Sequence, residues 1–191
     1  MQSKKTENNM ATNLKNLSVF QGDIPSAEGM KFGIAVAEWN WKITGALLDG
    51  AVSLLKAQGC REEDIMVKRV PGTFELSLAA QFMAEYTDVD AVIVLGCVIQ
   101  GETRHFDFIC QGVTQGVTQV SLTWNMPVVF GVLTTENEQQ ALDRAGGKHG
   151  NKGDEAAATA ISMVALQNEM EQNEPKPTHS RRSIFDDNTI N

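Results

Sequence analysis

The chain has 191 residues, with 16 Lys plus Arg against 24 Asp plus Glu, and therefore a formal net charge of −8. That length suits one domain, and 42% hydrophobic with 21% charged residues is the make-up of an ordinary globular protein. A pI near 4.9 argues against a nucleic-acid partner, which needs a basic face, and no run reaches the ~20 apolar residues of a membrane-spanning helix.

Residues 1–16 are polar, with no stretch resembling a secretory signal, and are expected to form a disordered extension. The expected domain covers residues 17–170 of a cytoplasmic protein, and Leu17, Ser18, Val19 and Phe20 suit a short edge strand. Residues 31–37 (KFGIAVA) read as a strand. Ile43, Leu47, Leu48, Ala51, Leu54 and Leu55 then recur at helical spacing. A second strand follows over residues 65–70 (IMVKRV), with a turn at Pro71 and Gly72 and a helix over 74–86. The almost wholly apolar residues 91–95 (AVIVL) suit a strand buried on both faces.

A long helix is expected from Arg104, with Ile109, Val113, Val117, Val120 and Trp124 on one face. Gly112 and Gly116 lie four apart in it. Each costs a helix about 1 kcal/mol relative to alanine, so the pair implies either a close-packed neighbour or a kink. The smooth face also suits packing around a symmetry axis. Residues 127–133 (PVVFGVL) form a fourth strand, and Thr135 to Glu138 read as a capping box. A glycine-rich linker, GGKHGNKG, precedes a last helix over 154–170, and residues 171–191 read as a flexible tail. Strands alternating with helices imply a parallel sheet covered on both faces.

Cys60, Cys97 and Cys110 form no CxxC pair, and His105, His149 and His179 are far apart. Reduced thiols are expected, with no disulfide scaffold and no metal site.

In such sheets ligands bind beyond the carboxyl ends of the strands. The segment from Gly96 to Thr103 matches a P-loop except that Glu102 stands where lysine belongs. A carboxylate cannot replace that cation, which excludes a nucleotide triphosphatase. Amides at a helix start can still hold one phosphate, although a plain glycine-rich turn reads the same way. His105, in the first helical turn, suits a base beside a phosphorylated substrate, or a surface residue. Trp39 and Phe74 can sandwich a flat heterocycle or edge the core. Glu75 can accept from ring N–H groups or charge a helix start. Arg144 and Lys152 are candidate phosphate cations or members of solvated salt bridges.

The ordered set Trp39-Asn40, Gly72-Thr73-Phe74-Glu75, GETRHFD from Gly101, FGVLTT from Phe130 and the Arg144-Ala145-Gly146 to Gly150-Asn151-Lys152-Gly153 pair resembles the 6,7-dimethyl-8-ribityllumazine synthase family. The resemblance runs from about Gly29 to Met170. It implies a three-layer α/β/α sandwich with a flavodoxin-like, four-stranded parallel sheet. It also implies condensation of 5-amino-6-(D-ribitylamino)uracil with 3,4-dihydroxy-2-butanone 4-phosphate, without cofactor.

By position, Trp39 would stack on the pyrimidinedione with Asn40 at its border. Thr73, Phe74 and Glu75 would hold the uracil and ribityl groups, and Cys97, Val98 and Ile99 would line the pocket through their backbone. Glu102 and Thr103 would donate to phosphate, Lys152 would support that end, and His105 would shuttle protons. Phe130 and Arg144 would come from a neighbouring subunit, since the family builds pentamers and in some members twelve of these close into a shell. The short linker at Gly146–Gly150 resembles the shell-forming members. Gln100 departs from the arginine usual in the family. A flavodoxin-like module that binds a phosphorylated or flavin-like ligand without turnover, or a purely structural shell protein, would share the fold.

Overall fold

The computed structural model describes residues 23–173. The expected extension, the edge strand at 17–20 and the tail beyond Asn173 lie outside the described residues.

Four strands, β1 (Phe32–Ala37), β2 (Ile65–Val70), β3 (Ala91–Ile99) and β4 (Val128–Thr135), form one parallel sheet in the order β2-β1-β3-β4. Helices α1 (Trp41–Ala57), α2 (Leu76–Tyr86), α3 (His105–Trp124), the short α4 (Glu138–Leu142) and α5 (Lys152–Gln172) connect and flank them. β1 is buried along its whole length, as a central parallel strand must be. Its side chains alternate between two cores. Phe32, Ile34 and Val36 join Ile93 and Leu95 beneath α1 and α5, through Leu47, Leu55 and Ile161. Ala35 joins Val92 and Val94 beneath α2 and α3, through Leu76, Val113 and Val117. The result is the expected flavodoxin-like α/β/α sandwich.

The register creates a ledge. β1 and β2 end level, at Ala37 and Val70, whereas β3 pairs with β4 as far as Ile99 and Thr135. The last β1–β3 pair is Val36 with Leu95, so the end of β3 stands proud of β1.

Several boundaries differ from those expected. β3 runs on through Gly96, Cys97, Val98 and Ile99, so the apparent phosphate-loop segment is half strand, and the turn itself covers only Gln100 to Arg104. The first helix after Gly72 begins at Leu76 rather than Phe74. The capping residue of α4 is Asn137, not Thr135, which still belongs to β4. Asn137 Oδ1 accepts from the Gln140 amide, and Gln140 Oε1 accepts in turn from Glu136 N. The cap expected at Thr135 is thus shifted by two residues, to Asn137.

The glycine-rich linker is a small antiparallel hairpin, β5 (Ala145–Gly147) with β6 (Gly150–Asn151), and α5 begins directly after it. Gly146 and Gly150 both have positive φ, which permits the tight reversal. α5 also runs to Gln172, past the expected end at 170.

Gly112 and Gly116 serve packing inside the chain, and α3 is one continuous helix. A Cβ on Gly112 would lie 2.7 Å from the Phe74 ring, and one on Gly116 would meet Ser77. The glycine pair therefore seats the start of α2 against α3. It does not supply the free face expected for a symmetry axis.

Candidate active site

The ledge of β3 organises one group of predicted residues. Past the sheet proper, the β1–β2 ladder continues as Glu38 N donates to the Val70 carbonyl and Trp39 N to the Pro71 carbonyl, at 2.8 and 3.0 Å. Asn40 then takes a left-handed conformation, φ 62°, which asparagine tolerates better than most residues. This turns the chain into α1, where the Asn40 carbonyl accepts from the Ile43 and Thr44 amides. The Asn40 side chain reaches sideways, and Nδ2 donates to the Cys97 carbonyl at 2.9 Å. The buried Thr73 hydroxyl donates to the same carbonyl at 3.5 Å. Two βα connections are thereby stitched to one backbone oxygen of β3.

Around that stitch the structure brings together Trp39, Asn40, Thr73, Phe74, Glu75 and the β3 end at Cys97, Val98 and Ile99. Trp39 is 67% exposed and Phe74 53%, unusual values for large rings at the edge of a core. Burial pushes the Cys97 thiol up to about 11. The thiol therefore stays protonated at neutral pH, which does not suit a nucleophile.

The turn holding Glu102 and Thr103 leads from this ledge into α3. Arg104, the cap residue, contributes no side-chain bond to the helix amides, and it pairs with Asp107 instead. The Thr103 hydroxyl accepts from His105 N at 3.4 Å. Glu102, Thr103 and His105 are all exposed. A 20-residue helix thus presents its amino end, with its partial positive charge, toward solvent beside the ledge. His105 is the first residue of that helix.

Phe130, Arg144 and Lys152 form a second group. They line one cavity of about 630 Å³ along the outer side of β4, between the end of α3 and the start of α5. None of Trp39, Asn40, Thr73, Phe74, Glu75, Glu102, Thr103 or His105 lines it. Arg144 also borders a neighbouring hollow with Gln100 and Phe106. Within one chain the structure therefore gives two clusters. Arg144 Nη1 donates to the Gln140 carbonyl at 2.9 Å, which ties it to α4. Lys152 Nζ lies 2.8 Å from both Glu155 carboxylate oxygens, so the salt-bridge possibility holds for Lys152. Gln100 Nε2 turns back onto the Gly101 carbonyl at 2.9 Å.

Sequence reasoning missed the residues that hold the second group. Asn151 caps α5 by accepting from Gly153 N at 2.8 Å, and its Nδ2 donates to the Ala46 carbonyl of α1 at 2.8 Å. Gly153 lies so close to α1 that a Cβ there would run into the Leu47 carbonyl. An asparagine followed by Lys-Gly-Asp-Glu was the readable sign of a cap with an acidic first turn.

Among the described residues no helix is long and apolar enough to cross a membrane, and no group of three or more His, Cys, Asp or Glu is placed to hold a metal ion. Cys60, Cys97 and Cys110 are free.

The fold is a parallel α/β sandwich with an open helix terminus and two exposed rings, Trp39 and Phe74, beyond its strand ends. The family model for 6,7-dimethyl-8-ribityllumazine synthase matches residues 29–168. The chain is 62% identical over 151 residues to the 6,7-dimethyl-8-ribityllumazine synthase of Cytophaga hutchinsonii, covering 79% of this chain and 95% of that one. It is 55% identical over 156 residues to that of Parabacteroides distasonis, covering 81% and 98%. With the Bacteroides fragilis enzyme it shares 61% over 135 residues, covering 71% and 94%. The chain belongs to the 6,7-dimethyl-8-ribityllumazine synthase family, and its activity is the family's, the penultimate step of riboflavin biosynthesis.

Proposed function

We propose that the two clusters are the two halves of one site, completed between copies of this chain, and that the ledge half binds 5-amino-6-(D-ribitylamino)uracil. The observation that carries this is the stitch at the Cys97 carbonyl, which fixes Asn40 and Thr73 to one backbone oxygen while the neighbouring Trp39 stays open to a ligand. Trp39 stacks on the pyrimidinedione, Asn40 borders it, and Thr73, Phe74 and Glu75 hold the ring and ribityl groups. Cys97, Val98 and Ile99 supply backbone walls. The α3 terminus at Glu102 and Thr103 holds the phosphate of 3,4-dihydroxy-2-butanone 4-phosphate through backbone N–H groups. From a neighbouring copy come Phe130, Arg144 and Lys152.

The 5-amino group attacks the ketone, and loss of water gives an imine. Phosphate then leaves with proton removal from carbon, His105 serving as base and later as acid. The resulting enol takes up a proton on carbon to become a ketone, and the ribitylamino nitrogen condenses with it to close the ring with loss of a second water. Each step needs only oriented reactants and proton transfer to or from them, so positioning carries much of the rate.

Two features of the chain support self-association. Among the described residues the β4 edge has no strand partner on its outer side, and Phe130 stands 40% exposed beside it. On α2, Leu78, Phe82 and Tyr86 lie four apart and are exposed together. A ring of copies, each offering one face to the next, satisfies both. Pentamers are the assembly proposed, and the compact hairpin at Gly146–Gly150 favours closure of pentamers into a shell. The proposed site of action is the cytoplasm.

The test is to mix the two substrates and follow the fluorescent lumazine. Turnover is expected from the native chain, and His105→Ala slows it by roughly 10–10⁴-fold. A binding module without catalysis would give no product above the uncatalysed rate with either protein.

A further inference from the structure

Trp39 is fixed at its backbone by Pro71, yet two-thirds of its surface faces solvent. An exposed indole with a fixed backbone can still take several rotamers, so something must aim the ring. The neighbour that meets it is Gly72. A Cβ built there would fall 2.6 Å from Trp39 Cε3 and 2.7 Å from Cζ3, with Glu75 Oε2 at 3.1 Å. Those are the outer-ring atoms of the indole, and carbon atoms in contact normally sit about 3.5–4.0 Å apart. The six-membered ring therefore rests directly on the Gly72 backbone, in space that any side chain would occupy.

Gly72 does not need its glycine character for its own conformation. It is not among the described residues with positive φ. The turn could accept alanine as far as backbone dihedrals go, and the missing Cβ is a matter of room for Trp39.

We infer that Gly72 is a positioning residue, the seat that sets the plane and depth of the Trp39 ring and, with it, the fit of the pyrimidinedione. This rests on the reading that Trp39 stacks on that substrate. A methyl group at position 72 lifts the outer ring and presses toward the Glu75 carboxylate, narrowing the hollow between them. Because Trp39 is exposed, the ring yields without disturbing the core. The consequence falls on one substrate and not on the fold.

Gly72→Ala is expected to keep the melting temperature of the native protein and to raise the KM for the pyrimidine by about 3–10-fold, the reach of a misaligned aromatic stack. The KM for the butanone phosphate stays put. In protein labelled with 5-fluorotryptophan, the fluorine resonance of Trp39 moves, while those of Trp41 and Trp124 do not. Trp39→Phe removes the fused outer ring, so adding Gly72→Ala to that variant leaves its pyrimidine KM within about 1.5-fold. An equal rise in both backgrounds would mean that position 72 acts through its own backbone, and would overturn the inference. So would an unmoved Trp39 resonance. If the resonance moves but Trp39→Ala leaves the pyrimidine KM unchanged, the stacking itself is wrong and the inference falls with it.

Discussion

Trp39, Asn40 and Thr73 stand on connections tied to the projecting end of β3, whereas Phe130, Arg144 and Lys152 stand along the outer side of β4 and around the hairpin beyond it. The first group is held by side chains reaching a buried strand. The second is held at a distance, by α4 beneath Arg144 and by the close contact of α5 with α1 beneath Lys152. The ledge group stands at the sheet end with Trp39, Phe74 and His105 open to solvent. The edge half faces a cavity that none of the ledge residues lines. Within one chain the two groups meet only at their margin, where Arg144 borders a hollow with Gln100 and Phe106.

The comparison is broken most strongly at Gly153. A methyl there meets the backbone of Leu47 and not a flexible side chain, so α1 and α5 must separate. Gly153→Ala is expected to cost about 3 kcal/mol, the upper end of ordinary overpacking, measured by denaturant unfolding. The surviving folded protein should lose affinity for the butanone phosphate before it loses affinity for the pyrimidine.

Arg144→Ala tests the edge half without disturbing the helices. Loss of a charge-assisted contact costs about 1.5–3 kcal/mol. The KM for the butanone phosphate should therefore rise on the order of 10–100-fold in steady-state assays, with the pyrimidine KM nearly unchanged. A shift confined to the pyrimidine would reverse the assignment of the two halves.

A smaller effect sharpens the same contrast. Asn137→Ala removes the cap of α4, worth about 1 kcal/mol, and loosens the helix whose Gln140 carbonyl holds Arg144. Thermal unfolding should show that modest loss, and the butanone phosphate KM should rise a few-fold. Pyrimidine binding, served by residues across the sheet, should not respond.

The sheet was legible because β1 and the start of β3 are unbroken apolar runs, and because strand-to-helix alternation leaves few ways to connect them. The ledge group was legible from resemblance, and its chemistry followed from residue types at strand ends. What escaped were contacts distant in sequence. Gly112 implied a close-packed neighbour, and only the fold shows that neighbour to be Phe74. The role of Asn151 depends on Ala46, a residue 105 positions away. The capping box moved because Thr135 extends β4, and strand pairing with Ile99 outweighs a local preference for a helix cap. The run of glycines before α5 resembled a linker because strands of three and two residues carry too little pattern to read.

The claim that two copies complete one site is tested most directly by complementation. Trp39→Ala/His105→Ala damages only the ledge half, and Phe130→Ala/Arg144→Ala only the edge half. Each variant alone should be nearly inactive. Refolded together in equal amounts, they should form some interfaces in which an undamaged ledge meets an undamaged edge, and random assembly makes those about one in four. Recovery of roughly a quarter of native activity is the predicted result. A mixture no more active than the sum of its parts, or full activity in a native chain that sediments as a monomer, would contradict it.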